Sequence, residues 1–459
     1  MHVAVVGGGV SGLAAAYRLR RRFGDGATIT VFESGDALGG KVRTIELAGV
    51  RYDVGAEAFL ARRPEAVALI REIGLGDELR HPTAARSSVR AGGRQVALPG
   101  GTVMGVPGSA DAVAGVLSDE GRRRVAGETG LPRLSLGSDD VSLGALLRER
   151  FGDELVDRLV DPLLGGVYAG GADGLGLRAT VPGLAKAIES GAGSLTAAAA
   201  SQLPSAPSGA PVFGTVRSGL GTLLDRLVEL AKPDVRLATL VKGLRRRQDG
   251  WTVELAGEAV DVDAVLLAVP AAAARRLLGD VAPDAAAALS EVEVASMAVV
   301  ALALPEGTRL PEASGVLIGA RERYPDGTPP AAKAFTFSSR KWAHLERGPV
   351  LVRGSVGRFG EPGALCADDG ELVRLVRRDL AELTGVTAEP LDVRVTRWGG
   401  GLPQYGVGHL AVVERVERAV AAVPGLEIAG ATFHGVGIPA CIGAAEAAAS
   451  RITSAAARG

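Results

Sequence analysis

Aromatic side chains are scarce in this chain: 4% of its 459 residues, with three Trp, five Tyr and nine Phe. So few rings leave little for an aromatic cage around a cationic substrate. Cysteine is rarer still. Cys366 and Cys441 stand far apart, which excludes a disulfide framework and thiolate metal spacing and favours a reducing, cytoplasmic setting. No apolar run reaches the roughly 20 residues of a membrane helix; "VASMAVVALALP", from Val294 to Pro305, reads as a core strand. Neither sign of charge prevails. Lys+Arg 51 against Asp+Glu 52 gives a net charge of -1, so a nucleic-acid-binding surface is not expected. "HVAVVGGG" already begins a buried strand at residue 2, so no cleavable leader and no transmembrane segment is expected.

What is present is globular: 47% hydrophobic and 22% charged residues over a length that calls for more than one core. The first segment, "VAVVGGGVSGLAAAYRLRRR", reads as strand, tight turn and helix. Gly7, Gly9 and Gly12 have G-x-G-x-x-G spacing, with Gly8, Val10 and Ser11 between them. The first glycine permits the turn, the second lets the backbone approach a pyrophosphate, and the third lets helix and strand pack closely. Helix amides then face the phosphates. "TITVFES" follows as a second strand, and Glu33, about 20 residues past Gly12, suits ribose hydroxyls, with Ser34 beside it.

Two further segments separate a flavin dinucleotide from a nicotinamide one. "SGDALGGKVRT", carrying Gly40, Lys41 and Arg43, and "YDVGAEAF", carrying Gly55, Ala56, Glu57 and Ala58, resemble the second cofactor motif and following loop of the flavin amine oxidase superfamily. Lys41 stands where many members carry Arg. No second G-x-G-x-x-G and no C-x-x-C appear, so a pyridine-nucleotide-disulfide reductase is excluded and the electrons are expected to pass to O2.

Downstream, apolar spacing of three and four residues in "PEAVALIREIGL", "VSLGALLRERFGDELVDRLVDPLL" and "VPGLAKAIES" predicts helices. "GAGSLTAAAASQLPSAPSGAP" reads as a mobile loop. "VRLATLVKGLRRRQDGWTVEL" predicts a hairpin turning at Asp249-Gly250. The expected class is α/β: a Rossmann-type (GR2-like) FAD-binding domain over 1–60, 213–275 and 398–459, interleaved with a helical insertion over 61–212 and a substrate-binding α+β domain over 276–397.

Taken in order, these segments resemble the porphyrinogen oxidases of haem synthesis, above all through "DPLLGGVYAGGADGLGLRAT", "RWGGGLPQYGVGH" and "GVGIPACIGAAE". The resemblance covers essentially the whole chain. It is nearest to the soluble bacterial type acting on coproporphyrinogen III, with protoporphyrinogen IX as the alternative substrate and a flavin amine oxidase as a more distant one.

The resemblance implies a six-electron oxidation of a cyclic tetrapyrrole, with non-covalent FAD taking hydride, O2 yielding H2O2, and hand-over to haem-pathway enzymes; no metal is implied. It implies FAD contacts from the Val241 backbone in the first hairpin strand, from Trp398 against the isoalloxazine, and from Val436, Gly437 and Ile438 at the last helix N-terminus. It places Tyr168 and Gly170 in a Gly-rich loop over the substrate, with the Gly170 carbonyl steering pyrrole N–H groups, and offers Arg43 and Arg178 as propionate anchors. Cys441 does not sit in the setting of a flavin tether, and His409 and His434 read as structural.

Overall fold

A computed structural model describes residues 1–204 and 211–456. The chain forms two compact units, each gathered from separate segments: 1–81, 211–292 and 410–459 make the first, and 82–210 and 293–409 the second.

The first unit is built on a five-stranded, fully parallel sheet ordered Asp234–Arg236, β2 (Thr28–Phe32), β1 (His2–Val6), Ala264–Leu267 and Leu426–Ile428. Sheets of this kind are covered on both faces, which is why "VAVV", "ITVF" and "AVLL" are nearly unbroken apolar runs. Val3, Val5, Ile29 and Val31 pack on one side with Leu13 of α1 (Val10–Phe23), Leu223 of the helix Gly221–Ala231 and Ile442 of the helix Ile438–Ala456. Ala14, Ala15 and Ala16 share that cluster with Ala445, Ala448 and Ala449, small residues that let two helices approach closely. On the other side Ala4, Val6 and Phe32 pack with Trp251 and Val253 of an antiparallel three-stranded sheet and with the helices Ala271–Leu278 and Pro283–Leu289.

The second unit carries a seven-stranded sheet ordered Asp392–Pro403, Val294–Leu304, Val350–Val356, Ala332–Phe337, Gly315–Ile318, Ser88–Ala91 and Arg94–Ala97. One face is covered by the helix Asp369–Thr384, whose Leu372, Val376 and Leu380 meet Val300, Phe335 and Phe337. That helix is capped at both ends, by the Asp368 carboxylate accepting from the Glu371 amide at 2.8 Å and by Gly385 at φ 73°. The helical part runs through Leu143–Phe151, a π turn at Val156–Val160, Asp161–Tyr168 and Pro182–Glu189. Glu128 is fully buried there. Its carboxylate accepts from Arg150 and from the Leu195 and Thr196 amides at 2.9 and 3.0 Å, capping the next helix with negative charge.

These units differ from the expected boundaries in three ways. Residues 61–81 belong with the dinucleotide sheet, because Ala66, Leu69 and Ile70 of the helix Pro64–Glu72 bury their apolar face in its cluster. The span expected to be a helical insertion also contributes Ser88–Ala91 and Arg94–Ala97 to the seven-stranded sheet, as a hairpin turned by Gly92 and Gly93 at φ 61° and 74°. Residues 398–409 stay with the second unit, since Asp392–Pro403 pairs along Val294–Leu304. The expected loop "GAGSLTAAAASQLPSAPSGAP" starts as a helix, Leu195–Gln202, N-capped by Ser194; its remaining part at 205–210 lies outside the described residues.

Candidate functional site

In the first unit the local sequence shapes a phosphate cradle. Gly7 takes φ 105°, a conformation side chains rarely adopt, and a Cβ there would lie 2.4 Å from the Ala268 carbonyl oxygen. A Cβ on Gly12 would fall 1.9 Å from the Gly7 oxygen, so the helix can approach the turn only with glycine there. Gly9 is different. Its Cβ would meet nothing nearer than the Gly39 oxygen at 3.9 Å, so open space lies beside the first turn of α1. That turn has no side-chain cap and no acidic residue, which leaves the amides of Val10, Ser11 and Gly12 available to an anion.

Glu33 is held at the end of β2: Gly8 and Gly35 donate their amides to its two carboxylate oxygens at 2.8 and 2.7 Å, and the Ser34 hydroxyl is 3.3 Å from one of them. The Gly39-Gly40 turn hydrogen-bonds back, Gly39 donating to the Gly8 carbonyl at 2.9 Å. Gly55 has its place for the same reason as Gly12, a Cβ there lying 2.1 Å from the Lys41 oxygen, and Ala56 donates to that oxygen at 2.9 Å. Glu57 is buried and Ala58 half-buried. Burial holds the Lys41 ammonium below its ordinary value, opposed by the Cys441 thiol. Val436 and Gly437 lead into Ile438, the first residue of the last helix. An uncapped helix start, glycines where a Cβ would obstruct, and an oriented carboxylate fit a dinucleotide.

In the second unit, the stretch "PQYGVGH" is a clamp. The Gln404 side-chain amide donates to the Tyr168 carbonyl at 2.7 Å, and the Tyr405 carbonyl accepts from Gly176 at 2.8 Å. Tyr405 stacks on His409 at 4.0 Å and lies 5.5 Å from the Tyr168 ring. Together they fix the turn at Tyr168–Gly170, where a Cβ on Gly170 would sit 2.1 Å from the Gln404 Oε1. Burial pushes the Tyr168 phenol up to about 12. The Phe359 amide donates to the Ala169 carbonyl at 2.6 Å, which brings Arg358 next to this turn. Asp161 heads the same helix. Its carboxyl is raised by burial, against the opposing Ala172 amide and Arg148.

The remaining expected site residues have these surroundings. Trp398 stands in the second unit's sheet, half-buried and opposite Met297, because the strand pairing continues through it. Val241 precedes the first hairpin strand, which starts at Gly243; it is 2% exposed and its carbonyl accepts from Arg276 at 2.8 Å. Arg178 pairs with Glu189 and donates to the Gly137 carbonyl. Arg43 is exposed. His434 forms a surface pair with Glu417 at 2.6 Å. Gln404, Asp161, Lys333 and Arg358 are not singled out by the sequence reading. The signal for Lys333 was a lysine inside the apolar strand "AAKAFTF".

A parallel α/β sheet with an open glycine cradle at its first turn defines a dinucleotide-binding fold. The chain belongs to the flavin containing amine oxidoreductase family, whose model matches residues 10–453. Within that family it is similar to coproporphyrinogen III oxidases. The one from Mycobacterium tuberculosis (strain ATCC 25618 / H37Rv) is 45% identical over 98% of this chain and 97% of its own. That of Bacillus subtilis (strain 168) is 33% identical over 98% and 97%. A crystal structure from Exiguobacterium sp. 255-15, assigned to a protoporphyrinogen oxidase, matches with a TM-score of 0.87 at 32% identity, over 99% of this chain and 98% of that one.

Proposed function

We propose that the protein oxidises coproporphyrinogen III to coproporphyrin III in haem synthesis, in the cytoplasm, with O2 as terminal acceptor and one H2O2 released per electron pair. Full-length likeness to the M. tuberculosis coproporphyrinogen III oxidase carries this reading. FAD, when bound, supplies hydride acceptance and reoxidation by O2. The chain's own residues bind and orient. Val10, Ser11 and Gly12 amides take the pyrophosphate and Glu33 the ribose, while the Ile438 helix start, with Val436 and Gly437, faces the flavin. The Gly170 carbonyl, on the turn fixed by Gln404, orients a pyrrole N–H over Tyr168. Aromatisation supplies the driving force, so no acid/base pair is needed.

The test supplies purified holoenzyme with coproporphyrinogen III, protoporphyrinogen IX and simple amines separately, following porphyrin fluorescence and H2O2. Coproporphyrinogen III is expected to give the highest kcat/KM. The Exiguobacterium likeness favours protoporphyrinogen IX as the second reading. Absence of fluorescence gain with both porphyrinogens overturns the proposal.

The burial of Cys441 supports non-covalent FAD. This thiol is 5% exposed, and burial pushes its pKa up despite Ser11, Lys41 and Arg63, so the thiolate needed for attack on a flavin is disfavoured. Acid precipitation is expected to leave all yellow colour in the supernatant. Ellman's reagent should titrate exposed Cys366 in the native protein and Cys441 only after unfolding. A flavin-bearing peptide containing Cys441 would contradict this.

A further inference from the structure

Lys333 is a buried cation that the fold leaves without a counter-charge. It is 3% exposed, and no hydrogen bond or ion pair joins its ammonium to another described residue. The charged group acting on it is Arg358, of the same sign. Burial and that neighbour push its pKa down to about 7. Arg358 is half-buried; one of its Nη atoms donates to the Ile318 carbonyl at 2.8 Å, and Asp161 and Glu361 act on it rather than on Lys333.

The backbone is arranged to hold Lys333 there. Ala332 pairs with Val356 and Ala334 with Ser355, so Lys333 is the additional residue of a β-bulge, a device that re-aims a side chain. Asp379, fully buried, accepts from the Ala331 and Ala332 amides at 2.7 and 2.8 Å immediately before the bulge. A buried ammonium beside a guanidinium costs stability that an aliphatic residue would not. The Arg358 segment is tied to the turn bearing Tyr168, which is 7% exposed.

We propose that Lys333 and Arg358 form an anion site for an organic carboxylate. In the functional reading above, on which this identification of the ligand rests, that carboxylate is a propionate of the tetrapyrrole. It completes the hydrogen bonds of both cations and restores the missing counter-charge.

The test compares wild type, Lys333→Met and Lys333→Arg as flavin-loaded proteins. Coproporphyrin III and its tetramethyl ester are titrated by fluorescence, and glutarate, a carboxylate without a ring, by thermal shift. Lys333→Met is expected to raise the ligand-free Tm, because an unpaired buried charge is gone, while weakening coproporphyrin III by about 10- to 100-fold. It should not alter the weak binding of the ester, and Lys333→Arg should recover most of the affinity. A merely structural lysine would not raise Tm and lower affinity together. Equal glutarate shifts and equal coproporphyrin III affinities in wild type and Lys333→Met overturn the site. If wild type oxidises no porphyrinogen yet shows a glutarate shift that Lys333→Met lacks, the functional reading falls and the carboxylate site stands.

Discussion

Gly9→Asp is expected to purify as a folded, colourless protein with no measurable turnover. The backbone tolerates the change: Gly9 has φ -78° and ψ -178°, ordinary extended values, and a Cβ there meets no atom closer than 3.9 Å. Asp is also a favoured N-cap. Its carboxylate can accept from the amides one turn into α1 and strengthen the helix by about 0.5–2 kcal/mol. Those are the amides that a pyrophosphate would use, and the new negative charge lies beside its path. FAD affinity should therefore fall by more than about 1000-fold, roughly 4 kcal/mol, while the apoprotein Tm holds or rises. Absorbance at 450 nm relative to 280 nm, circular dichroism and calorimetric titration with FAD read the three effects. A yellow Gly9→Asp protein would sink the placement of the cofactor. Gly12→Ala is the contrasting case: its Cβ would lie 1.9 Å from the Gly7 oxygen, so packing and cofactor should be lost together.

The cradle was legible because its physics is local. A positive φ at Gly7, close approach at Gly12 and an acceptor at the end of the next strand are set by residues within the first segment of the chain. The domain boundaries were less legible. The helix Pro64–Glu72 has one apolar stripe, and nothing in a stripe says which sheet will cover it; Leu69 and Ile70 go to the dinucleotide sheet. Trp398 shows the same limit. Glycines around a lone Trp suggest a wall against a ring, and the long strand Asp392–Pro403 that carries it is placed by pairing with Val294–Leu304, a relation between distant segments. "PQYGVGH" was recognisable as specific, while its work, clamping Tyr168 through Gln404, depends on a contact across more than two hundred residues. Lys333 was the least legible, since a one-residue bulge and the absence of a counter-charge exist only in three dimensions.

Asp379→Ala is expected to destabilise the protein by about 3–5 kcal/mol, the cost of removing one partner from a buried charged network. Asp379 is 0% exposed. Its carboxylate accepts from the Tyr324 hydroxyl at 3.0 Å, from Arg378 at 3.0 Å and from the two amides that open the bulged strand. Alanine leaves both amides and the buried phenol without their acceptor, whereas Arg378, partly exposed, can turn to water. Tyr324→Phe removes one hydrogen bond only and should cost about 1 kcal/mol, which separates the phenol from the backbone role. Urea unfolding measures both losses. At a temperature where Asp379→Ala remains folded, its affinity for coproporphyrin III should also fall while Tyr324→Phe keeps wild-type affinity, because only the former frees the start of the bulge that sets Lys333. Equal affinities in the two variants would mean that the bulge holds its lysine without help from Asp379, through strand pairing alone.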